Sequence, residues 1–233
     1  MKEKSTRAKK QARKMGRPPV VPGEKHTKEK IFDAAVDLFA ENGYDRTSVR
    51  DIARAVGIAE SAVYRHYPSK EAILDTIFEY MEKQIYAPLP PAPDADERRE
   101  SSIFRDMLAG LPWYIEANPI IIKIAHIMFT EMYHNTRIRD YLQKEYVERG
   151  NAMTQAIFRE QMKAGKIKTC DVQALSSLFN SYRFAWVFNI FVIYYGKPLD
   201  MDVLKRDIEA QIKLFEDLLK PDGRCKKTRA DRT

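Results

Sequence analysis

The chain has 233 residues, 44% of them apolar, a formal net charge of +7 and two cysteines, Cys170 and Cys225. That apolar fraction excludes a disordered chain, few glycines favour helices over many turn-linked strands, and two cysteines without a CxxC exclude a disulfide framework and fit a reducing cytoplasm. The charge is localised: residues 1–17 hold eight Lys or Arg and one acid, and the rest of the chain is balanced.

Residues 1–25, with the stretch MGRPPVVPGEK, read as an extended basic arm suited to a polyanion, either nucleic acid or an anionic membrane surface, with a solvated tail as the plain alternative. The start has no apolar h-region, so secretion is not expected. Thr27 is placed as the N-cap of a first helix, with Ile31, Ala34, Ala35, Leu38 and Phe39 inward and Asn42-Gly43 as the stop. Thr47 is placed as the cap of a second, with Val49, Ile52 and Ala53 inward. Gly57 supplies a tight turn, and a third helix over about 59–67 ends before Pro68. Ser69 caps a fourth, whose stripe is Ile73, Leu74, Ile77, Phe78 and Met81. Two short helices about a glycine turn make a helix-turn-helix over about 47–67, inside a unit at 26–85.

A loop over 86–100, rich in proline and then charge, separates this unit from a second at 101–220, and a polar basic tail follows at 221–233. Helices are expected near 101–117, 119–134, 137–164, 171–195 and 201–219. The fold class is therefore all-α, with about nine helices. FAWVFNIFVIYY, Phe184 to Tyr195, is only 12 residues long and contains Asn189, whereas a membrane span needs about 20 apolar residues, so a buried helix is expected there and no membrane role.

In the third helix, spacing sets Val63 and Tyr67 inward with Ile58, and Glu60, Ser61 and Tyr64 outward. Arg50, Arg65, His66 and Lys70 line the edges of that outward face. Tyr and Lys suit phosphate oxygens, Arg suits guanine, and a carboxylate suits a cytosine amino group. Arg50 lies in the first turn of its helix, where the dipole disfavours a cation. A bound phosphate or guanine offsets that, and so does a surface acid.

From Thr27 to Leu74 the chain resembles the DNA-binding domain of TetR-type transcriptional regulators, through LFAENGY, TSVRDIARAVGI and VYRHYPSKE. The resemblance implies phosphate contacts from Thr47, Tyr64 and Lys70. It implies base-edge positions for Arg50, Glu60, Ser61 and Ala62, with His66 at the groove edge. Two residues depart from the pattern. Ala59 stands where a capping Ser or Thr is common, and Glu60 must either meet a cytosine or repel phosphate. In the arm, MGRPP is similar to an AT-hook core, which sets Arg17 against a minor groove, with plain electrostatic attraction as the alternative.

The resemblance further implies a homodimer on a double-stranded palindromic operator and a C-terminal ligand-sensing and dimerising domain, with no cofactor. The residues support the last two helices as the dimer interface, because the helix over 171–195 is apolar almost all round. A pocket for a bulky apolar or aromatic effector is expected from Trp113, Phe129, Met132, Tyr133, Phe158, Met162, Tyr182 and Trp186, with core packing as the other role for each. His126, Glu131 and His134 lack HExxH spacing, so no metal is expected. No GxSxG, GxGxxG or P-loop occurs, and an enzyme is not expected. The expectation is a repressor released by that effector, with control by a protein partner as the alternative.

Overall fold

The computed structural model describes residues 25–85, 87, 89 and 102–221. The arm with Arg17, most of the 86–100 stretch and the tail with Cys225 lie outside the described residues. Within them every regular element is helical: α1 Thr27–Asn42, α2 Val49–Val56, α3 Glu60–His66, α4 Lys70–Ile85, α5 Ile103–Leu108, α6 Leu111–Ala117, α7 Pro119–Glu131, α8 Thr136–Tyr141, α9 Gly150–Lys163, α10 Val172–Phe188 and α11 Met201–Leu218. A wider π-helical stretch, Leu142–Arg149, joins α8 to α9 in one continuous rod, and another, Asn189–Ile193, extends α10.

Two helix starts differ from the sequence expectation by one residue. His26 holds the N-cap position of α1, and the Glu29 carboxylate accepts its backbone N–H at 3.2 Å. Ser48, not Thr47, caps α2. The Asp51 N–H donates to Ser48 Oγ at 3.2 Å and the Ser48 N–H donates back to the Asp51 carboxylate at 3.1 Å. An acid three residues on completes this reciprocal pair for Ser48 and has no counterpart for Thr47. Hydrogen bonds from the Ser48 side chain and backbone hold the Asp51 carboxyl below its ordinary range.

The expected helix at 101–117 is two. Pro112 has no N–H to give and its ring crowds the carbonyl four residues back, so the chain breaks at Ala109-Gly110 and restarts with proline in the first turn of α6. At the helix-turn-helix corner Gly57 takes φ 74°, and the Ile58 N–H closes on the Ala53 carbonyl at 3.0 Å.

The apolar core does not divide at the proline-rich stretch. One cluster runs from Ile31, Phe39, Ile52, Val63 and Ile77 of α1 to α4 into Ile124 and Met128 of α7, Ile138 of α8 and Phe191 beyond α10. A second joins α5, α9, α10 and α11 through Phe104, Phe158, Phe179 and Phe215. Trp186 packs against both. The head, α1 to α4, is therefore built onto α7 and α8.

Candidate nucleic-acid interface

The recognition surface begins with α3. Val63 and Tyr67 are buried, and Tyr67 ends the helix in extended backbone at φ −136° with its N–H on the Val63 carbonyl at 2.9 Å. Glu60, Ser61, Arg65 and His66 are exposed, Ala62 is half-buried, and Tyr64 is 47% exposed although it is a large ring. No side chain caps α3 at Ala59. Arg50 is exposed on α2, beside Arg54, which pairs with Asp51 at 3.3 Å.

Thr47 and Lys70 are engaged within the chain. Thr47 is 2% exposed, and its hydroxyl donates to the Gly43 carbonyl at 2.9 Å and the Leu38 carbonyl at 3.2 Å. Its hydroxyl fastens the α1–α2 turn. Lys70 is half-buried, and its Nζ donates to the Tyr44 and Thr47 carbonyls at 2.9 and 3.2 Å while lying 4.2 Å from the Tyr44 ring centre. Burial first, then Glu71, pushes the Tyr44 phenol up to about 12, so the ring beneath the ammonium stays neutral.

Lys70→Met is therefore expected to lower stability by roughly 1.5–3 kcal/mol, the usual worth of hydrogen bonds from a charged donor. A denaturant melt unchanged from the parent would return Lys70 to a phosphate-contact role alone.

The same turn is held from the body. Glu131, at the end of α7, accepts the Tyr44 N–H at 3.2 Å. Gly43 takes φ 88°, which favours glycine, and a Cβ there would stand 2.9 Å from that carboxylate and push it aside. Lys123 pairs with Asp37 at 2.5 Å, Arg149 with Glu82 at 2.8 Å, and Arg137 with Asp75. Tyr141 stacks on Phe78, with centroids 4.5 Å apart, and donates to the Phe78 carbonyl at 3.1 Å.

The residues expected to line an effector pocket do not converge. Phe129 is buried with the rings of Phe184 and Phe188 edge-on to it, and Met132 packs on the same cluster. Phe158 is fully buried against Phe104 and Phe179 in the other cluster, where Met162 and Tyr182 also pack. Trp113 lies beneath the Lys205 ammonium, 4.8 Å away, and Tyr133 is 74% exposed. Phe158 is thus a core residue and Tyr133 a surface one. Helical spacing marks a side chain as inward without saying which of two cores receives it. His126 donates from Nδ1–H to the Phe191 carbonyl, 3.0 Å away, and stacks on Tyr195. His134 is exposed.

A cleft does open, but elsewhere: about 560 Å³ between α1, α4 and the α6–α7 turn, walled by Phe32, Tyr67, Tyr80 and Ile120. Phe32 and Tyr80 lie off the stripes assigned to their helices, which was the available sequence signal.

Residues 31–77 match the profile of a family described as bacterial regulatory proteins, tetR family. The nucleoid occlusion factor SlmA of Vibrio cholerae is 25% identical over 153 residues, covering 64% of this chain and 76% of that protein. Among solved structures, Salmonella enterica GusR is 18% identical with a TM-score of 0.61, covering 83% of this chain and 95% of the other. A transcriptional regulator from Aquifex aeolicus is 21% identical with a TM-score of 0.59, covering 81% and 99%. At these identities the structures share the fold. Among the described residues no helix is long and apolar enough to cross a membrane.

Proposed function

Because this chain belongs to the tetR family of bacterial regulatory proteins, whose members are DNA-binding regulators and not enzymes, we propose that it acts as a homodimeric, effector-responsive repressor of a palindromic operator. The division of α3 carries this reading. Its apolar side is buried in the head, while Glu60, Ser61, Tyr64, Arg65 and His66 share solvent with Arg50. A helix with such a surface, preceded by a glycine turn, fits a major groove, and two of them related by a dimer axis fit successive grooves about 34 Å apart. Thr47 and Lys70 serve this surface by fixing its turn. Arg17 and the other bases of the arm add attraction for the backbone.

The dimer is proposed to form through α10 and α11, whose outer faces carry Leu178, Phe184, Val203, Leu214 and Leu218 in solvent. Effector entry shifts α7 against α1, and Glu131 passes that shift to the Tyr44 turn. This is a two-state element that ligand and operator bias in opposite directions.

Selection from a random duplex pool tests the reading. The expected product is a two-fold symmetric site with half-sites about one helical turn, or a multiple, apart. An enriched sequence without two-fold symmetry would sink it. Removing residues 1–17 is expected to flatten the dependence of log K on log salt, and an unaltered slope would take the arm out of the interface.

A second reading, control by a protein partner, draws on one observation: Phe158, placed in an effector pocket by sequence, is closed into ring packing with Phe104 and Phe179. The two part on whether a small aromatic molecule alone releases the purified protein from operator.

A further inference from the structure

The cleft between head and body is contributed by both: Phe32 of α1, Tyr67 and Tyr80 around α4, and Pro119 and Ile120 of α7. Its volume, about 560 Å³, suits a molecule of a few rings. The walls are aromatic and aliphatic, and Phe32 and Tyr80 already meet with centroids 5.8 Å apart.

The charges at its mouth decide what polar group such a molecule carries. Four charged residues stand there: Lys25, Lys28, Glu29 and Asp33. Lys25 donates to Asp33 at 2.5 Å, and Glu29 accepts the His26 N–H at the start of α1. Both acids are thus engaged. Lys28 differs, because its Nζ sits 5.4 Å from the Tyr67 ring centre and has no ion-pair partner among the described residues. A cation entering the cleft must break the Lys25–Asp33 pair or uncap α1. An anion meets a donor with hydrogen bonds to give, in the first turn of a sixteen-residue helix whose dipole also favours negative charge.

We propose that this cleft is the effector site and that its ligand is a planar aromatic carboxylate, with its rings against Phe32 and Tyr80 and its carboxylate on Lys28. This rests on the effector-responsive reading above and moves the site from the helical body to the junction. An occupant there touches α1 and the α6–α7 turn at once, so it changes the angle between the operator-reading head and the body.

Three probes of one shape test it: 4-biphenylcarboxylate, 4-biphenylmethanol and 4-biphenylmethylamine, each titrated calorimetrically into the full chain and then into its operator complex. The acid is expected to bind at least about tenfold more tightly than the alcohol or the amine, as a charge-assisted hydrogen bond implies. Lys28→Met should erase that preference while leaving the alcohol's affinity in place. Ile120→Trp, which fills the cleft, should abolish binding of all three. Equal affinities for the three probes, or a preference for the acid that survives Lys28→Met, would overturn the assignment. Acid binding that depends on Lys28 but leaves operator affinity unchanged would uphold the site and overturn the effector reading.

Discussion

Leu178→Glu combined with Leu214→Glu is expected to give a folded monomer that binds operator about 10²–10⁴-fold more weakly than the parent, the range that linking two binding modules confers. Both leucines are more than half exposed, at 62% and 51%, so placing a carboxylate on either costs an isolated chain little. On α10 the outward positions Ala174, Leu178, Ser181 and Ala185 recur at helical spacing, with Phe184 beside them. On α11 Val203, Ala210, Leu214 and Leu218 do the same. Small and apolar residues along two neighbouring helices let a second pair approach closely, as in a four-helix interface between identical subunits. Beneath them Phe179 and Phe215 meet at 5.3 Å and fix the helix pair as one unit. Four glutamates on a closed apolar interface have no partners, and their desolvation outweighs the area gained. Sedimentation and operator titration check the prediction together. A double variant that still sediments as a dimer would place the interface on other helices.

How far the sequence reached can be seen at particular residues. Gly43, Gly57 and Pro68 announce breaks through backbone geometry, which is local, and the structure breaks there. Ser48 and Thr47 are adjacent hydroxyls, and only Asp51 three positions on distinguishes the cap. Pro112 signals the interruption between α5 and α6 by the same local rule. The face of α3 was legible because a seven-residue helix has few ways to bury Val63 and Tyr67 together. The effector residues were not legible, because Phe129 and Phe158 are equally apolar and inward, and their assignment to separate cores depends on how distant helices meet. The contacts of Lys70 and Thr47 within the chain were not legible for a related reason: both donate to carbonyls of a turn that Glu131, 87 residues from Tyr44, also holds.

Tyr64→Ala is expected to weaken operator binding by roughly one and a half to four orders of magnitude with an unchanged melting temperature, since a dimer loses the contact twice and each is worth about 1–3 kcal/mol. The ring is 47% exposed on the outward side of α3, so its removal opens no cavity in the head core, which rests on Val63 and Tyr67. Salt separates this residue from its neighbours. A hydroxyl contact releases no counterion, so the loss should be the same factor at every ionic strength. Arg65→Ala should instead reduce the slope of log K against log salt. Tyr64→Phe then divides the ring from its hydroxyl: affinity close to that of the alanine variant assigns the contact to a phosphate oxygen, and affinity close to that of the parent assigns it to packing on a thymine methyl or sugar. Unchanged affinity in Tyr64→Ala, with the fold intact, would remove the exposed face of α3 from the interface and with it the reading that places this helix in the groove.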